Sequence, residues 1–404
     1  PAPSRAGLWL GGRVENLDAD NWRVLFKRDV KEVDSKAEET AAVNIGGVDV
    51  VATNMILFDR RFQNFQIKAE RGNTQWLIGI DGDDVRGSAL WQPDGAGFIS
   101  ARFSQLHLPA ANPPPPGKAR AVTSNTGRLP SMDIAADSFQ IGKRKFGRLE
   151  LLSKQEGQDW RIERVRLSSP AGVFSADGVW QGWLDRPQTS LNVNLRVSDL
   201  GQFLGNVGYP GAVKRGNAEI NGQVSWIGDP YALDPPTLSG NFTLAAKSGQ
   251  FLKAEPGVGK LLGLISLQSL PKRISLDFRD IFSEGFAFDD IAATVKMDLG
   301  EMKTDDFFMR GSAAGVIMQG SADVRTETQN LKVRVIPSLA ETIAIAGGLA
   351  GGPVVGVGAY ILQKILQNPF DKIFAYEYTV TGKWEDPVVT KVTAPQPEKK
   401  PNRR

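Results

Sequence analysis

The sequence predicts a mainly β chain built from antiparallel meanders, with a few short helices. Three observations carry this. First, the dominant hydrophobic period is two: Leu191, Val193, Leu195 and Val197 alternate with Asn192, Asn194, Arg196 and Ser198, the pattern of a half-buried strand. The same alternation recurs in Ile162–Leu167, Leu331–Val335 and Tyr376–Val380. Second, Trp76–Ile80, Val173–Trp180 and Val224–Ile227 are rich in the β-branched and aromatic residues that suit a pleated surface. Third, Asp81-Gly82, Asp94-Gly95, Asp177-Gly178 and Asn221-Gly222 interrupt these runs at near-regular spacing, and such dipeptides read as hairpin turns.

Taken in order, the chain divides into a β-rich segment over 1–108, a proline-rich loop over 109–130, a second β-rich segment over 131–255, a C-terminal module over 256–390 and a tail over 391–404. The loop contains four successive prolines and almost no large apolar residue, which favours an extended conformation. The tail has the composition of a disordered end. With 404 residues but no initiator Met and no signal peptide, the chain is expected to be the C-terminal part of a longer protein. Short helices are predicted over Ala19–Phe26 after Asp18, over Leu200–Asn206 after Asp199, and over Gly257–Leu270, ended by Pro271.

The segment Thr342–Gln363 carries no charge, and its length approaches that of a bilayer-spanning helix. Gly351-Gly352-Pro353 breaks it, so the expectation is a glycine-rich broken helix over Leu339–Gln367. It reads either as a buried cap on the sheet, as a full span, or as a segment that touches a membrane. In the last reading, the one adopted, Leu349, Val354, Val355, Val357, Tyr360, Ile361 and Ile365 are the membrane-contact residues, and Tyr360 suits an interface.

Enzymatic motifs are scarce. The absence of cysteine removes disulfides, thiolate metal sites and cysteine nucleophiles, and suits a compartment such as the bacterial periplasm. His107 is the one histidine, so zinc through His and Cys ligands is excluded. No G-x-S-x-G elbow, phosphate loop or dinucleotide fingerprint is present. Asp81-Gly82-Asp83-Asp84 lacks the spacing of a calcium loop and reads as a hairpin turn. Asp289-Asp290 and Asp305-Asp306 are adjacent acids, which point to opposite faces of a strand and do not share a proton. The chain is therefore read as a non-enzyme with no cofactor and no metal, carboxylate-only hydrolysis being the one enzymatic reading left. The net charge of +3 is spread along the chain without the basic face that nucleic acid requires.

What remains is the apolar face of the strands. In a sandwich it meets a second sheet; in an elongated, open sheet it forms a groove that suits acyl chains. From Gly216 onward the residues are more distinctive. GNAEINGQVSWIGDP (216–230), LSGNFTLAAKSGQFLKAEPGVGKLLGLISLQSLP (238–271), KRISLDFRDIFSEGFAFDDI (272–291), MRGSAAGVIMQGSADVRTETQNLKVRVIP (309–337) and YTVTGKWEDPVV (378–389) resemble the C-terminal part of the AsmA-like family, in its YhdP branch. Residues 1–215 are similar in style only. The resemblance implies a bridge-like lipid-transfer protein: an elongated, twisted antiparallel sheet, curved into an open groove, that carries phospholipid across the periplasm. The remainder of the chain would hold an inner-membrane anchor, and this part would approach the inner leaflet of the outer membrane. The groove residues expected on this reading are Leu191, Val193, Leu195, Val197, Phe278, Phe286, Phe288, Val333 and Val335. The rival reading is a structural tether or outer-membrane assembly factor without a lipid cargo.

Overall fold

The computed structural model describes residues 7–19, 45–57, 60–110, 129–252, 285–312, 314–337 and 376–392. Among the described residues the fold is mainly β, and nineteen strands are hydrogen-bonded into one sheet. The chain forms two compact units whose main boundary falls within a strand, between Asn192 and Val193.

The first unit contains β1 (Leu8–Asp18), β2 (Ile45–Leu57), β3 (Arg60–Arg71), β4 (Trp76–Asp81), β5 (Val85–Gln92), β6 (Phe98–Leu108), β7 (Ser131–Ile141), β8 (Arg144–Glu156), β9 (Asp159–Ser169), β10 (Gly172–Gln181) and the start of β11 (Gln188–Val197). From β2 to β6 and from β7 to β10, each strand pairs antiparallel with the next. Two neighbours depart from the predicted meander: β1 with β2, and β6 with β7, run parallel. The reason is connection length. A tight turn can only reverse a strand, whereas a parallel neighbour needs a long crossover. The two long stretches of this unit, 19–44 and the proline-rich 109–130, lie at these two places.

Of the four predicted turns, Asp81-Gly82 begins the β4–β5 connection and Asp94-Gly95 lies between β5 and β6. The other two are corrected. Asp177-Gly178 lies inside β10 and Asn221-Gly222 inside the strand Val213–Ile227. Their glycines serve close strand approach rather than reversal. A Cβ on Gly178 would sit 2.0 Å from the Ser190 carbonyl oxygen, and one on Gly222 would sit 2.2 Å from that of Asn241.

The second unit holds the end of β11, α1 (Leu200–Asn206), β12 (Val213–Ile227), β13 (Ser239–Phe251), β14 (Phe286–Asp298), β15 (Glu301–Arg310), β16 (Ala314–Asp323), β17 (Thr328–Pro337), β18 (Tyr376–Lys383) and β19 (Pro387–Val392). From β12 to β19 every consecutive pair is antiparallel. The short helix forms where the sequence places it. Asp199 caps it by accepting the Gln202 backbone N–H at 2.9 Å, satisfying one of the donors that a helix start leaves open. Leu200, Leu204 and the following Tyr209 pack against the unit's buried core.

The helices expected over Ala19–Phe26, Gly257–Leu270 and Leu339–Gln367, together with Phe278, the seven membrane-contact residues and the tail beyond Val392, lie outside the described residues, apart from Ala19 itself. Among the described residues no helix is long and apolar enough to cross a membrane.

Candidate functional site

Strand alternation and register together sort the side chains of the first unit onto two chemically opposed faces. Across β3 to β10, the paired residues Ala69, Ile78, Ala89, Ala101, Ile134, Leu151, Val165 and Ala176 make one unbroken apolar row. One residue along, on the other face, the row reads Lys68, Gly79, Ser88, Arg102, Ala135, Glu150, Arg166 and Ser175. Most of the apolar row is half-buried, as are the flanking Ile80, Leu149 and Leu167, and Trp91 on the same face is 41% exposed. Ala52, Met55, Phe62, Phe65 and Val85 close one end of the face as a buried cluster, while Leu129, Trp160, Ile162 and Trp180 close another part.

The opposite face is held in water by paired charges. Arg86 reaches Asp81 at 2.8 Å, Arg102 reaches Asp133 at 2.7 Å, and Lys154 reaches Glu163 at 2.6 Å. Such exposed pairs contribute little stability individually. Their effect is to make this face costly to desolvate. The hydrogen bond to Glu163 also raises the Lys154 ammonium above its ordinary pKa.

The second unit repeats the arrangement. Ala218, Ala246, Ile291, Met309, Val316, Val335 and Tyr376 pair in sequence across β12 to β18. On the other face the corresponding residues are Asn217, Lys247, Asp290, Arg310, Gly315 and Ile336. Here the centre of the apolar face is a closed core, with Met309 at 0% and Val316 and Val335 at 1% exposure. Burial also raises the pKa of the Tyr378 phenol. Toward the other end of the strands Ile220, Phe242, Leu244, Val295 and Met297 are only half-buried.

Keeping one apolar face along these long strands requires bulges. In β14, Phe286 and Phe288 are buried, and then Ile291 and Ala293, so the parity changes across Asp289-Asp290. The change is matched in β13 at Ser248 (φ 56°) and in β12 at Arg215 and Gly216 (φ 58° and 86°), where left-handed backbone lets the neighbouring strands change parity together without a shift of register. Asp305-Asp306 marks a similar place in β15, where the register with β16 shifts between Thr304 and Phe307. Asp306 accepts the Thr294 backbone N–H at 2.7 Å, so this carboxylate holds a bulge together instead of pairing with its neighbour. Asp290 pairs with Arg310.

Of the residues picked from the sequence as groove-lining, Leu191, Val193 and Leu195 are half-buried and Val197 is buried, all on β11. Leu191 packs with Trp160, Ile162 and Trp180. Phe286, Phe288, Val333 and Val335 come together in the buried core of the second unit. Sequence reading took the runs that hold Ile78, Val165 and Ala176 for strands but named no residue of the first unit's apolar row as groove-lining, because these strands are broken by bulges and by small residues that carry no strong hydrophobic signal. It missed Ile291 and Ala293 because a strict period of two carried forward from Phe288 puts them on the wrong face.

His107 lies on β6, half-buried. Its Nε2 is 2.9 Å from Ser138 Oγ and its Nδ1 is 3.1 Å from Gln105 Nε2. Burial lowers its pKa and raises that of Asp84 nearby. A serine nucleophile needs a carboxylate orienting the far ring nitrogen, and here an amide occupies that position. Among the described residues no group of three or more His, Cys, Asp and Glu gathers to hold a metal.

The family described as YhdP protein matches residues 1–389. The chain belongs to this family. Membership extends over residues 1–215, where the sequence alone showed only similarity of style. A relative from Escherichia coli (strain K12), the intermembrane phospholipid transporter YhdP, is 23% identical over 412 aligned residues, which cover 99% of this chain and 31% of the relative. This YhdP-family chain therefore spans about a third of that relative's length. No solved structure matches it.

Proposed function

We propose that this chain is a periplasmic segment of an intermembrane phospholipid conduit, in which acyl chains lie along the apolar face of the sheet and head groups stay in water. The observation that carries the reading is the segregation of faces. In each unit, taken by itself, the register aligns an apolar row on one side of the strands and a mostly polar or charged row on the other. The name of the E. coli relative supports phospholipid as the cargo class.

The half-buried part of the face is the part available to a cargo: Ile78, Ile134 and Leu151 in the first unit, Leu191, Val193 and Leu195 on β11, and Phe242 and Met297 in the second unit. Phe286, Phe288, Val333 and Val335 sit deeper and act as the support beneath it. Transfer on this surface is passive. Burying apolar area stabilises by about 25 cal/mol per Å², or about 0.8 kcal/mol per methylene, so one partly covered acyl chain is held by several kcal/mol and still leaves. Placement between the two membranes, with an inner-membrane anchor elsewhere in a longer chain and an approach to the outer membrane, belongs to the same reading.

Native mass spectrometry of the purified chain tests it: phospholipid masses should accompany the protein and exchange with labelled lipid. A protein that emerges lipid-free and takes up no labelled phospholipid from vesicles would overturn the proposal in favour of a tether without cargo.

A further inference from the structure

Three polar atoms stand without partners in the apolar face of the first unit. Ser153 Oγ, Gln155 Oε1 and Trp180 Nε1 are enclosed, and none has a hydrogen-bond partner among the described residues. Ser153 and Trp180 are 2% and 3% exposed. The register puts them on one face within three adjacent strands: Gln155 of β8 pairs with Trp160 of β9, which pairs with Trp180 of β10, while Ser153 lies two residues before Gln155, opposite Ile162 and Met132. Trp160 makes the contrast plain, since its indole N–H donates to the Pro130 carbonyl at 2.8 Å and that of Trp180 donates to nothing described. The rest of Gln155 is tied down, its amide nitrogen donating to the Gly157 carbonyl at 3.1 Å, so the oxygen is left over.

Buried polar groups are ordinarily paired, and each unpaired one carries a desolvation penalty that calls for an explanation. The chemistry of this set is specific. It offers an indole N–H donor, a hydroxyl that donates or accepts and an amide carbonyl acceptor, with no charge among them. A phosphate would find no cation here. A neutral group with a carbonyl and a hydroxyl or amide N–H would satisfy all three. The walls are hydrocarbon: Leu129, Met132, Ile162, Val165 and Leu191 pack in the same cluster.

We propose that Ser153, Gln155 and Trp180 form a polar subsite for the neutral linker region of a lipid, where ester carbonyls join the acyl chains to the head group. Trp180 and Ser153 donate to the ester carbonyls, and Gln155 accepts from a hydroxyl or N–H of the adjoining head group, because a fully esterified linker carries no donor of its own. A lipid then stops at a defined register on an otherwise featureless apolar face. This inference rests on the phospholipid-conduit reading.

Two fluorescent probes test it on the purified chain: a phospholipid labelled on one acyl tail, and an alkyl chain with the same label but no ester or head group. Trp180→Phe and Ser153→Ala should each weaken phospholipid binding by roughly 3- to 10-fold, the range expected for one lost hydrogen bond, and leave the alkyl probe unchanged. Ser153→Ala removes only an unpartnered hydroxyl, so its fold is secure, and near-ultraviolet circular dichroism verifies Trp180→Phe. If both probes weaken together, the residues act through packing and the inference fails. If both variants bind both probes as wild type does, the three atoms take no part in lipid binding and the inference again fails, while the conduit reading stands. If wild type binds neither probe, the conduit reading fails and takes the inference with it.

Discussion

Ile78 and Leu77 are consecutive aliphatic residues of β4 that point to opposite faces, and the same substitution in each separates binding from stability. Ile78 lies between Ala69 and Ala89 on the apolar row. Leu77 lies between Glu70 and Leu90 on the charged face and is 54% exposed. Leu77→Asp removes a side chain already largely in water, so the expected change in stability is within about 0.5 kcal/mol. Ile78→Asp removes a half-buried isoleucine, about 1–1.5 kcal/mol at half the full transfer value, and adds a carboxylate to an apolar row. The carboxylate offsets part of its own penalty by raising its pKa, so a total loss of about 2–3 kcal/mol is expected. For a cargo lying over β4, the charge displaces contact with two or three methylenes at about 0.8 kcal/mol each, or about 2 kcal/mol. That corresponds to roughly 30-fold weaker binding. Uptake of labelled phospholipid from vesicles, measured at a temperature where both variants are folded, reads this difference directly. Equal uptake by the two variants would refute the assignment of the apolar row as the cargo surface.

Gly222→Val should cost at least about 2 kcal/mol, because its branched side chain has no room 2.2 Å from the Asn241 carbonyl; an unchanged melting temperature would refute the close-approach account. Asp199→Ala should destabilise the second unit by about 1 kcal/mol through loss of the α1 cap, measured by urea unfolding, whereas Asp199→Asn should retain most of it. The Asp323 pKa is held down to about 2 chiefly by its bidentate contact with the Arg325 guanidinium, Nε donating to Oδ1 and Nη2 to Oδ2. A depressed carboxylate pKa contributes stability that is full above the ordinary 3.8 and lost as pH falls through about 2. A carboxyl-detected NMR titration should therefore show Asp323 ionised at pH 3, and Arg325→Ala should return its midpoint to the usual carboxylate range.

The amino-acid pattern was enough to establish the β class and several individual elements. Alternation over Leu191–Val197 and the capped helix Leu200–Asn206 were legible because each depends only on neighbours in the chain: side chains alternate every residue, and Asp199 reaches a donor three positions on. The family motifs of 216–390 were legible for the same reason, being contiguous. Misreading began where a glycine's role depends on a distant strand. Asn221-Gly222 is a turn signal by composition, and only the position of Asn241 on β13 makes Gly222 a place where strands crowd. The absence of cysteine and the single histidine narrowed the chemistry without any coordinates. Which face is apolar was decided by tertiary structure alone. The left-handed kink at Ser248 and the bulge at Asp305-Asp306 each invert the alternation, and their positions are set by pairing with strands many residues away. The unpartnered atoms of Ser153, Gln155 and Trp180 belong to the same class of fact, because whether a polar atom finds a partner depends on what the register of β8, β9 and β10 sets beside it.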